Sequence, residues 1–266
     1  MKLQRAGVII AVVTIVVIIG MAALGPLLYR VSPVTMDLAA ASSGASASHI
    51  LGTDESGRDV AARLLAGARV SLTVGVFAML LAVTLGTVIG TIAGVAGGWI
   101  DAVLMRLTDA ALAIPALFVV ILVLTFFGPS ITTLLCAIAA TSWMGAARVI
   151  RAELLVLREQ LYVEAARALG MPAGAIVWRH MLPQVLPTII VVATVGVPAA
   201  ILTESALSFL GLGVQPPTPS WGNMLSGAQT YLTSQPQLAL YPGLLIVATV
   251  LAINTLGEFA RQRLQR

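Results

Sequence analysis

Long apolar runs separated by short polar stretches make up most of the chain. A helix needs about 20 apolar residues to cross the roughly 30 Å hydrocarbon core of a bilayer. Six runs meet or approach that length, namely residues 6–28, 72–95, 107–127, 131–147, 185–207 and 240–259. Because these runs are continuously apolar and lack the alternation of barrel strands, they are predicted to be helices. The pattern therefore predicts an all-α membrane protein with six transmembrane helices.

Composition supports the bilayer as the solvent of this chain. Of its 266 residues, 59% are hydrophobic and 10% are charged, whereas a soluble domain carries about 25% charged residues. The single cysteine, Cys136, excludes an intramolecular disulfide, and its apolar surroundings predict a buried thiol. Composition therefore excludes an ordinary soluble domain.

The first apolar run, residues 6–28, is either a retained anchor or a cleaved signal peptide. Lys2 and Arg5 precede it and small residues follow at 45–48, as in a signal peptide. The run is longer than the about 7–15 residues of a signal core, and no close cleavage site follows it. We therefore expect three parts, listed here by residue number: an anchor helix over 1–28, an extracytoplasmic loop with an amphipathic helix over 29–70, and a core of five transmembrane helices over 71–266.

The placement of basic residues predicts the orientation. With both termini in the cytoplasm, the cytoplasmic pieces carry eleven of the 15 basic residues: Lys2, Arg5, Arg106, Arg148, Arg151, Arg158, Arg167, Arg179, Arg261, Arg263 and Arg266. The first outside loop carries the remaining four, Arg30, Arg58, Arg63 and Arg69. Because Lys and Arg concentrate in cytoplasmic loops, the chain is predicted to be N-in and C-in, as a multi-pass protein of the cytoplasmic membrane.

The segment between the fourth and fifth runs, residues 148–184, is charged and interrupted by helix stops. A short helix is predicted over residues 161–169, and Gly170 suits the left-handed position just past its end. A second short helix begins at about Pro172 and must stop near Pro183. This helix–turn–helix is either a solvated basic loop or a docking element for a soluble partner, and these physical arguments leave both open.

The residues of this segment carry a family resemblance. The sequence EAARALG, from Glu164 to Gly170, followed by HMLP at 180–183, resembles the EAA loop of ABC importer permeases, whose signature is EAA-x3-G-x9-I-x-LP. His180 stands in place of the general isoleucine, as is frequent in the peptide-permease branch. The spacing of Glu164 and Arg167 predicts an i,i+3 pair. The resemblance implies contact with an ATPase subunit for Glu164, Ala165, Ala166, Arg167, Gly170, His180, Leu182 and Pro183.

Further stretches agree with the same family. Residues 51–60, 67–72, 97–110 and 204–225 resemble the second permease subunit of dipeptide/oligopeptide importers. The resemblance implies a type I permease fold that pairs with a homologous permease subunit, two cytoplasmic ABC ATPases and an extracytoplasmic peptide-binding protein. It also implies that the chain is not an enzyme and binds no cofactor, since ATP and Mg²⁺ belong to the ATPases. Membrane lipid surrounds such a subunit, and no nucleic acid is implied.

Other candidate residues lie on the predicted outer side of the membrane. Ser56 and Asp59 predict a capping box of the amphipathic loop helix, and Asp59 is spaced to pair with Arg63. This helix is either a platform for the binding protein or a structural brace. Candidates for contact with the binding protein are Asp54, Arg58, Asp59 and Trp221, the last expected at the membrane interface.

Two carboxylates lie within or at the ends of the predicted spans, where charge is costly. Glu204 is a candidate pathway residue for a substrate ammonium. Its sequence context resembles that of family members with varied substrates, which implies a structural or gating role instead. Asp109 is expected to pair with Arg106 at i,i+3. Residues 86–94 hold three glycines spaced four apart, which predicts close helix packing, within the subunit rather than between subunits.

The substrate stays open, and two other classes of protein compete. Dipeptides, oligopeptides, nickel chelates and haem all fit the family branch, because the binding protein sets much of the choice. An ion-coupled secondary transporter would use buried carboxylates and inverted repeats, and scarce mid-span charge counts against it. An intramembrane enzyme is opposed by the lack of a phosphate-binding loop or a catalytic constellation. His49 and His180 lie on opposite sides of the predicted membrane, which excludes a paired-histidine metal site.

Overall fold

The computed structural model describes residues 2–264, and helices dominate that range. They are α1 (Lys2–Leu28), α2 (Val60–Ala96), α3 (Gly98–Leu112), α4 (Ala116–Phe127), α5 (Ile131–Arg158), α6 (Leu161–Ala168), α7 (Ala173–Ile176), α8 (Leu182–Phe209), α9 (Trp221–Ala228) and α10 (Gln237–Leu264). A π-helical turn, Val177–Met181, joins α7 to α8. The predicted all-α architecture is confirmed.

The number of membrane crossings follows from the direction of neighbouring helices. Five continuous helices are long and apolar enough to cross a membrane, and α3 with α4 forms a pair bent by 81°. α2 and α5 run parallel, because Gly86 faces Ala146 at one end of their contact and Gly94 faces Leu154 at the other. Parallel neighbours need a return crossing between them, so the α3–α4 pair carries the chain back across the bilayer. The prediction of six spans is therefore confirmed.

The third span differs from the straight helix predicted over residues 107–127. α3 ends at Leu112 and α4 begins at Ala116, with Pro115 in extended backbone (φ −58°, ψ 124°) between them. Pro115 lacks the N–H for an intrahelical bond, and its ring keeps the preceding residue out of the helical region. The prediction of an unbroken helix here was wrong because it passed over this proline.

The bundle has two ends that are used below as reference points. The end that holds Ala96, Arg158 and helix α6 is called the α6 side. The end that holds Leu28, Val60 and helix α9 is called the α9 side. Antiparallel contacts agree with this division, since Ser71 of α2 lies near Glu204 of α8, toward the α9 side.

The close contact of α2 with α5 depends on glycines. A Cβ added at Gly86 would lie 2.7 Å from the carbonyl oxygen of Trp143, and one at Gly90 would lie 2.5 Å from that of Ala147. Real Cβ atoms do not approach backbone that closely, so only glycine permits this helix separation. The predicted packing within the subunit is confirmed.

The second span begins earlier than predicted and absorbs the loop helix. α2 is one helix of 37 residues from Val60 to Ala96, capped by Asp59, whose side chain accepts a hydrogen bond from the Ala62 N–H. The separate amphipathic helix expected within the loop of residues 29–70 is thus about the first three turns of a spanning helix. No proline or cap interrupts the chain between the two parts, which is why the helix continues.

The fifth span is also longer than predicted. The chain is helical from Ala173 to Phe209, so the second short helix does not stop near Pro183. The Leu182 N–H donates to the Val177 carbonyl, which is a π-type bond of five residues. A π turn widens the helix and gives room to the proline ring and to the carbonyl that it leaves without a donor. The prediction of a helix stop was wrong for this reason.

Two further predictions concern residues outside the described range and the burial of Cys136. Of the basic residues used for the orientation, Arg266 and the side chain of Lys2 lie outside the described residues. Cys136 is exposed on α5 rather than buried. Its neighbours Leu134, Ala137 and Ile138 are buried in the core, so Cys136 lies on the outer face of a helix whose other face is packed.

Candidate functional site

The turn after α6 is held by backbone geometry rather than by side chains. Gly170 has φ +79°, as predicted for a left-handed position. The Gly170 N–H donates to the Arg167 carbonyl at 2.9 Å, and the Met171 N–H donates to the Ala166 carbonyl at 3.1 Å. These two bonds form a Schellman motif, which ends a helix at a fixed angle. The turn is therefore a rigid connection between α6 and α7.

The EAA residues lie on two faces of α6. Val163 and Ala166 are buried, and they belong to an apolar cluster with Leu154 of α5 and Met181 of the π-helical turn. Glu164 and Ala165 are exposed. Helical spacing separates the faces, because positions 163 and 166 lie one turn apart while 164 and 165 point away from them. One face fastens α6 to the bundle, and the other is free for a partner.

The exposed face of α6 includes large apolar side chains. Leu161 is 81% exposed and Leu169 is 87% exposed, and both lie outside the spanning helices. The predicted pair of Glu164 with Arg167 is absent from the ion pairs of the described residues, and both side chains are exposed. Exposed apolar side chains outside the spans make this face a candidate contact surface.

The remaining residues of the loop lie where the chain returns to the membrane. His180 is half-buried in the π turn, and Pro183 is exposed in the first turn of α8. Leu182 is the first residue of α8 and is half-buried. These residues shape the connection from the α6 turn into the fifth span, while Glu164 and Gly170 lie farther out.

On the α9 side, the predicted loop carboxylates are buried. Asp54 accepts hydrogen bonds from Arg58 Nε at 2.7 Å and from the Ser56 and Arg58 backbone N–H groups. Arg63 also lies 3.4 Å from Asp54, and Arg58 reaches Glu55 at 2.9 Å. Asp54 and Arg58 are each only 7% exposed. This cluster holds the loop together and borders a cavity of about 290 Å³.

Asp59 joins three parts of the chain that are distant in sequence. Its carboxylate accepts from the Tyr29 hydroxyl at 2.8 Å and contacts His49 Nδ1 at 2.8 Å, besides capping α2. Partial burial, followed by the bond to Asp59, raises the pKa of the Tyr29 hydroxyl. The predicted capping box with Ser56 and the predicted pair with Arg63 were wrong, because Asp59 turns inward to these closer partners.

Glu204 lies in a closed polar cluster. The side chain is fully buried, and its two carboxylate oxygens accept from Ser71 Oγ and Ser208 Oγ, each at 2.8 Å. Ser71 Oγ in turn accepts from the Trp221 N–H at 3.3 Å. Glu204 therefore connects α2, α8 and α9, and it faces no open pathway within this subunit. The geometry agrees with the structural role that its sequence context favours.

Trp221 is part of the same cluster rather than of the membrane interface. Its side chain is fully buried, and its indole N–H donates to the Leu64 carbonyl at 3.2 Å. Ser220 caps α9 through the Asn223 N–H, and Asn223 returns a bond to the Ser220 N–H, forming a capping box. The expectation of an interfacial tryptophan was wrong, because the capped α9 folds inward over α2.

Ion pairs fasten α3 to α5 on the α6 side. Asp109 pairs with Arg148, and Asp101 pairs with Arg151 through both carboxylate oxygens. The predicted pair of Asp109 with Arg106 was wrong, since a partner on the neighbouring helix is closer. The polar contacts of Ser71, Tyr29 and His49 had no signal in the sequence, because each partner is far along the chain. Within residues 2–264, no three His, Cys, Asp or Glu side chains are grouped to hold a metal ion.

A bundle of apolar crossings with a rigid helical turn at one end defines a multi-pass membrane protein, and sequence comparison gives its family. The chain belongs to the family of binding-protein-dependent transport system inner membrane components, whose model matches residues 86–266. This family consists of transport subunits of the inner membrane. The matched part includes the α6 turn, the bent pair α3–α4 and Glu204.

Several relatives are similar over most of the chain. The dipeptide transport system permease protein DppC of Alkalihalophilus pseudofirmus is 41% identical over 221 residues, which is 83% of this chain and 73% of the relative. The glutathione transport system permease protein GsiD of Shigella flexneri is 42% identical over the same shares. A protein of Brucella suis biovar 1, named as a peptide permease, is 40% identical over 92% of this chain and 84% of its own length.

Proposed function

We propose that this chain is one of two permease subunits of an ATP-driven importer that moves small peptides from the α9 side to the α6 side of the cytoplasmic membrane. The names of the relatives support the substrate class, since they describe dipeptide, glutathione and peptide permeases. The observation that carries the proposal is the α6 turn, a rigid and exposed element outside the spans that a soluble motor protein is able to reach.

The attachment of α6 supports a mechanical role. Its buried face belongs to one apolar cluster with Ile150 and Leu154 of α5 and Val185 of α8. A push on α6 therefore moves two spanning helices, because close-packed side chains transmit displacement instead of absorbing it. A flexible loop at this place would not do so.

The exposed face of α6 supports docking to an ATPase. Leu161 and Leu169 offer apolar area, and Glu164 and Ala165 lie between them on the accessible surface. A groove in a partner would bury this short helix in the helix-in-groove manner. In this proposal two ABC ATPase subunits bind ATP and Mg²⁺, a homologous permease subunit completes the pathway, and this chain contributes no group to hydrolysis.

The charge distribution supports an N-in and C-in orientation. Basic residues near the α6 side include Arg148, Arg158, Arg167 and Arg179, and cytoplasmic loops are enriched in such residues. The α9 side then faces the binding protein. Asp54, Arg58 and Asp59 are buried there, so in this proposal they hold the receiving surface in shape and the surface backbone and side chains around them make the contact.

The proposal is tested by comparing substitutions at Gly170 in the α6 turn and at Gly174 in the following helix α7. A Cβ at Gly170 or at Gly174 would meet nothing within 4 Å, but only Gly170 has positive φ. Gly170→Val therefore carries a backbone penalty of about 1–2 kcal/mol that changes the α6–α7 angle, while Gly174→Val leaves the turn intact. Both variants are expressed with the partner subunits, and membrane level, ATPase co-purification and peptide uptake are measured.

We expect both variants to insert normally, because neither glycine lies in a close helix contact. Gly170→Val should lose ATPase co-purification or uptake, and Gly174→Val should keep both. If Gly170→Val binds the ATPases and takes up peptide like the parent, the α6 turn is not the coupling element and the docking proposal fails.

A further inference from the structure

A groove between α1, α2, α8 and α10 is separate from the α6 turn and from the polar clusters of Asp54 and Glu204 on the α9 side. It has a volume of about 620 Å³, within the range of about 300–1,000 Å³ that is usual for ligand pockets. Its walls are mainly aliphatic and aromatic, for example Ile18, Val76 and Phe77. Val76 and Phe77 are 45% and 53% exposed, so the groove opens on the outer surface of the subunit.

Arg69 is the charged residue of this groove. Its guanidinium donates from Nε to the Ala22 carbonyl at 3.1 Å and from Nη2 to the Ala23 carbonyl at 3.3 Å, both in α1. Pro26 explains the first bond, because a proline has no N–H to donate to the carbonyl four residues before it. Arg69 thus supplies the donor that Pro26 removes, and it holds α1 against α2.

Most of the hydrogen-bonding capacity of Arg69 is left over. A guanidinium has five N–H donors, and two are used by the α1 carbonyls. The ion pairs among the described residues do not include Arg69, and its side chain is exposed. An arginine at the mouth of an apolar groove with free donors is suited to a ligand that has an anionic head and an apolar tail.

The depth of Arg69 agrees with the headgroup level of a bilayer. Ala22 lies six residues before Leu28, the last residue of α1, which corresponds to about 9 Å along a helix. A long arginine side chain at this depth reaches the headgroup region while its stem stays in the hydrocarbon. The groove itself runs from this level into the apolar layer, beside Leu72 and Leu80.

We propose that this groove binds one phospholipid of the α9-side leaflet. The phosphate accepts hydrogen bonds from the free donors of Arg69, and one acyl chain lies in the groove between α1 and α2. The lipid fills the space that α1 leaves beside the core helices, and it thereby joins the first helix to the bundle. A helix of a second subunit is the competing occupant.

The test uses the assembled transporter in nanodiscs with phosphatidylglycerol that carries a photoreactive diazirine in its acyl chain. After illumination, labelled peptides are mapped by mass spectrometry. The main variant is the double substitution Pro26→Ala and Arg69→Met, because replacing the proline restores an intrahelical N–H donor for the Ala22 carbonyl when the guanidinium is removed. Ile18 and Ala22 of α1 still share an apolar cluster with Leu64 of α2, which keeps α1 docked. Ala23→Trp blocks the mouth of the groove with Arg69 intact, and Arg30→Met removes an exposed arginine of the same side outside the groove.

We expect labelling of the α1 and α2 groove segments in the parent and in Arg30→Met. In the double variant the labelling should fall by about tenfold, as expected for loss of a charge-assisted hydrogen bond to phosphate, and Ala23→Trp should lose it similarly. Equal labelling in all four proteins would mean that the lipid is annular only, which overturns the proposal. No labelling of the groove in the parent would mean that another chain occupies it, which also overturns the proposal.

Discussion

On the α9 side, Asp59 and Glu204 are at most 2% exposed and bond to residues from distant parts of the chain. On the α6 side, Glu164 and Arg167 are exposed and lack an ion pair with each other. The two α9-side carboxylates join elements of their own subunit, whereas the two charged residues of α6 point outward. A substitution of a buried polar residue on the α9 side therefore disturbs the fold, whereas one on the exposed face of α6 disturbs only contacts with a partner.

This difference has a mechanical reading. A closed polar network on the α9 side fixes the mutual position of α2, α8 and α9, because each buried hydrogen bond is costly to break in an apolar surrounding. The α6 turn is fixed instead by its backbone and by a small apolar cluster. Substitutions on the α9 side should therefore reduce stability, and those on the exposed α6 face should reduce function alone.

The largest expected effect is that of Asp59→Ala. It removes the cap of α2 and the acceptor for Tyr29 and His49 at once, so the free energy of unfolding should fall by about 2–4 kcal/mol. The variant should be scarce in membranes and should lose its monodisperse peak in detergent at lower temperature. The sequence alone makes Asp59 a candidate contact for the binding protein, and on that basis it predicts a loss of transport with normal assembly. Normal thermal stability in this variant would support the prediction from the sequence, and it would contradict a structural role for the buried carboxylates of the α9 side.

Substitutions of Glu204 test whether this buried carboxylate stabilises the fold or takes part in transport. Glu204→Ala leaves the Ser71 and Ser208 hydroxyls without their acceptor in a buried site, and we expect a loss of about 2–3 kcal/mol. Glu204→Gln keeps an acceptor and the side-chain volume, so most stability and uptake should remain. A Gln variant of parental stability that transports nothing would instead make Glu204 a pathway residue, contrary to its closed surroundings.

The two alanines of the EAA sequence allow the buried and the exposed face of α6 to be compared within one helix. Ala166 is 7% exposed and Ala165 is exposed. Ala166→Leu should overpack the cluster under α6 and lower stability by about 1–3 kcal/mol, while Ala165→Leu should leave stability unchanged and weaken ATPase co-purification. Thermal stability in detergent is measured beside co-purification. Equal melting of both variants would mean that α6 has no fixed inner face.

The smallest expected effect is that of Glu164→Ala. The side chain is exposed and has no partner among the described ion pairs, so the change in stability should stay below about 1 kcal/mol. Any change should appear in the ATPase rate of the assembled transporter and not in membrane level. A marked drop in membrane level would show that Glu164 supports the fold, and the division between the two sides would fail at this residue.

The sequence alone predicted the elements whose causes are local. The apolar runs indicated the spanning helices, because helix length in a bilayer follows from hydropathy along the chain. The glycine at position 170 was placed correctly at a left-handed turn, since the steric preference of glycine acts within a few residues. The EAA segment was recognisable because its signature residues lie within one short stretch.

Sequence reasoning failed where a partner from elsewhere or a subtle backbone change decided the outcome. Asp109 was paired with the nearby Arg106 but bonds to Arg148, and Asp59 bonds to Tyr29 and His49. Pro115 breaks the third span, although Pro183 does not end the fifth. Each proline removes one backbone N–H donor. The helix bends at Pro115 and widens into a π turn before Pro183, and the packing of neighbouring helices decides between these two outcomes.

Local features of the sequence were enough to predict that this protein is helical, lies in a membrane and carries a short charged turn between its fourth and fifth spans. Those features follow from local hydropathy, proline and glycine positions. Only the tertiary structure decided which polar residues are buried, that Glu204 is enclosed by serines from two helices, and that Arg69 replaces the donor lost at Pro26. Such pairings depend on which helices meet and at what height, and helix packing fixes both through contacts between residues that are far apart in the chain.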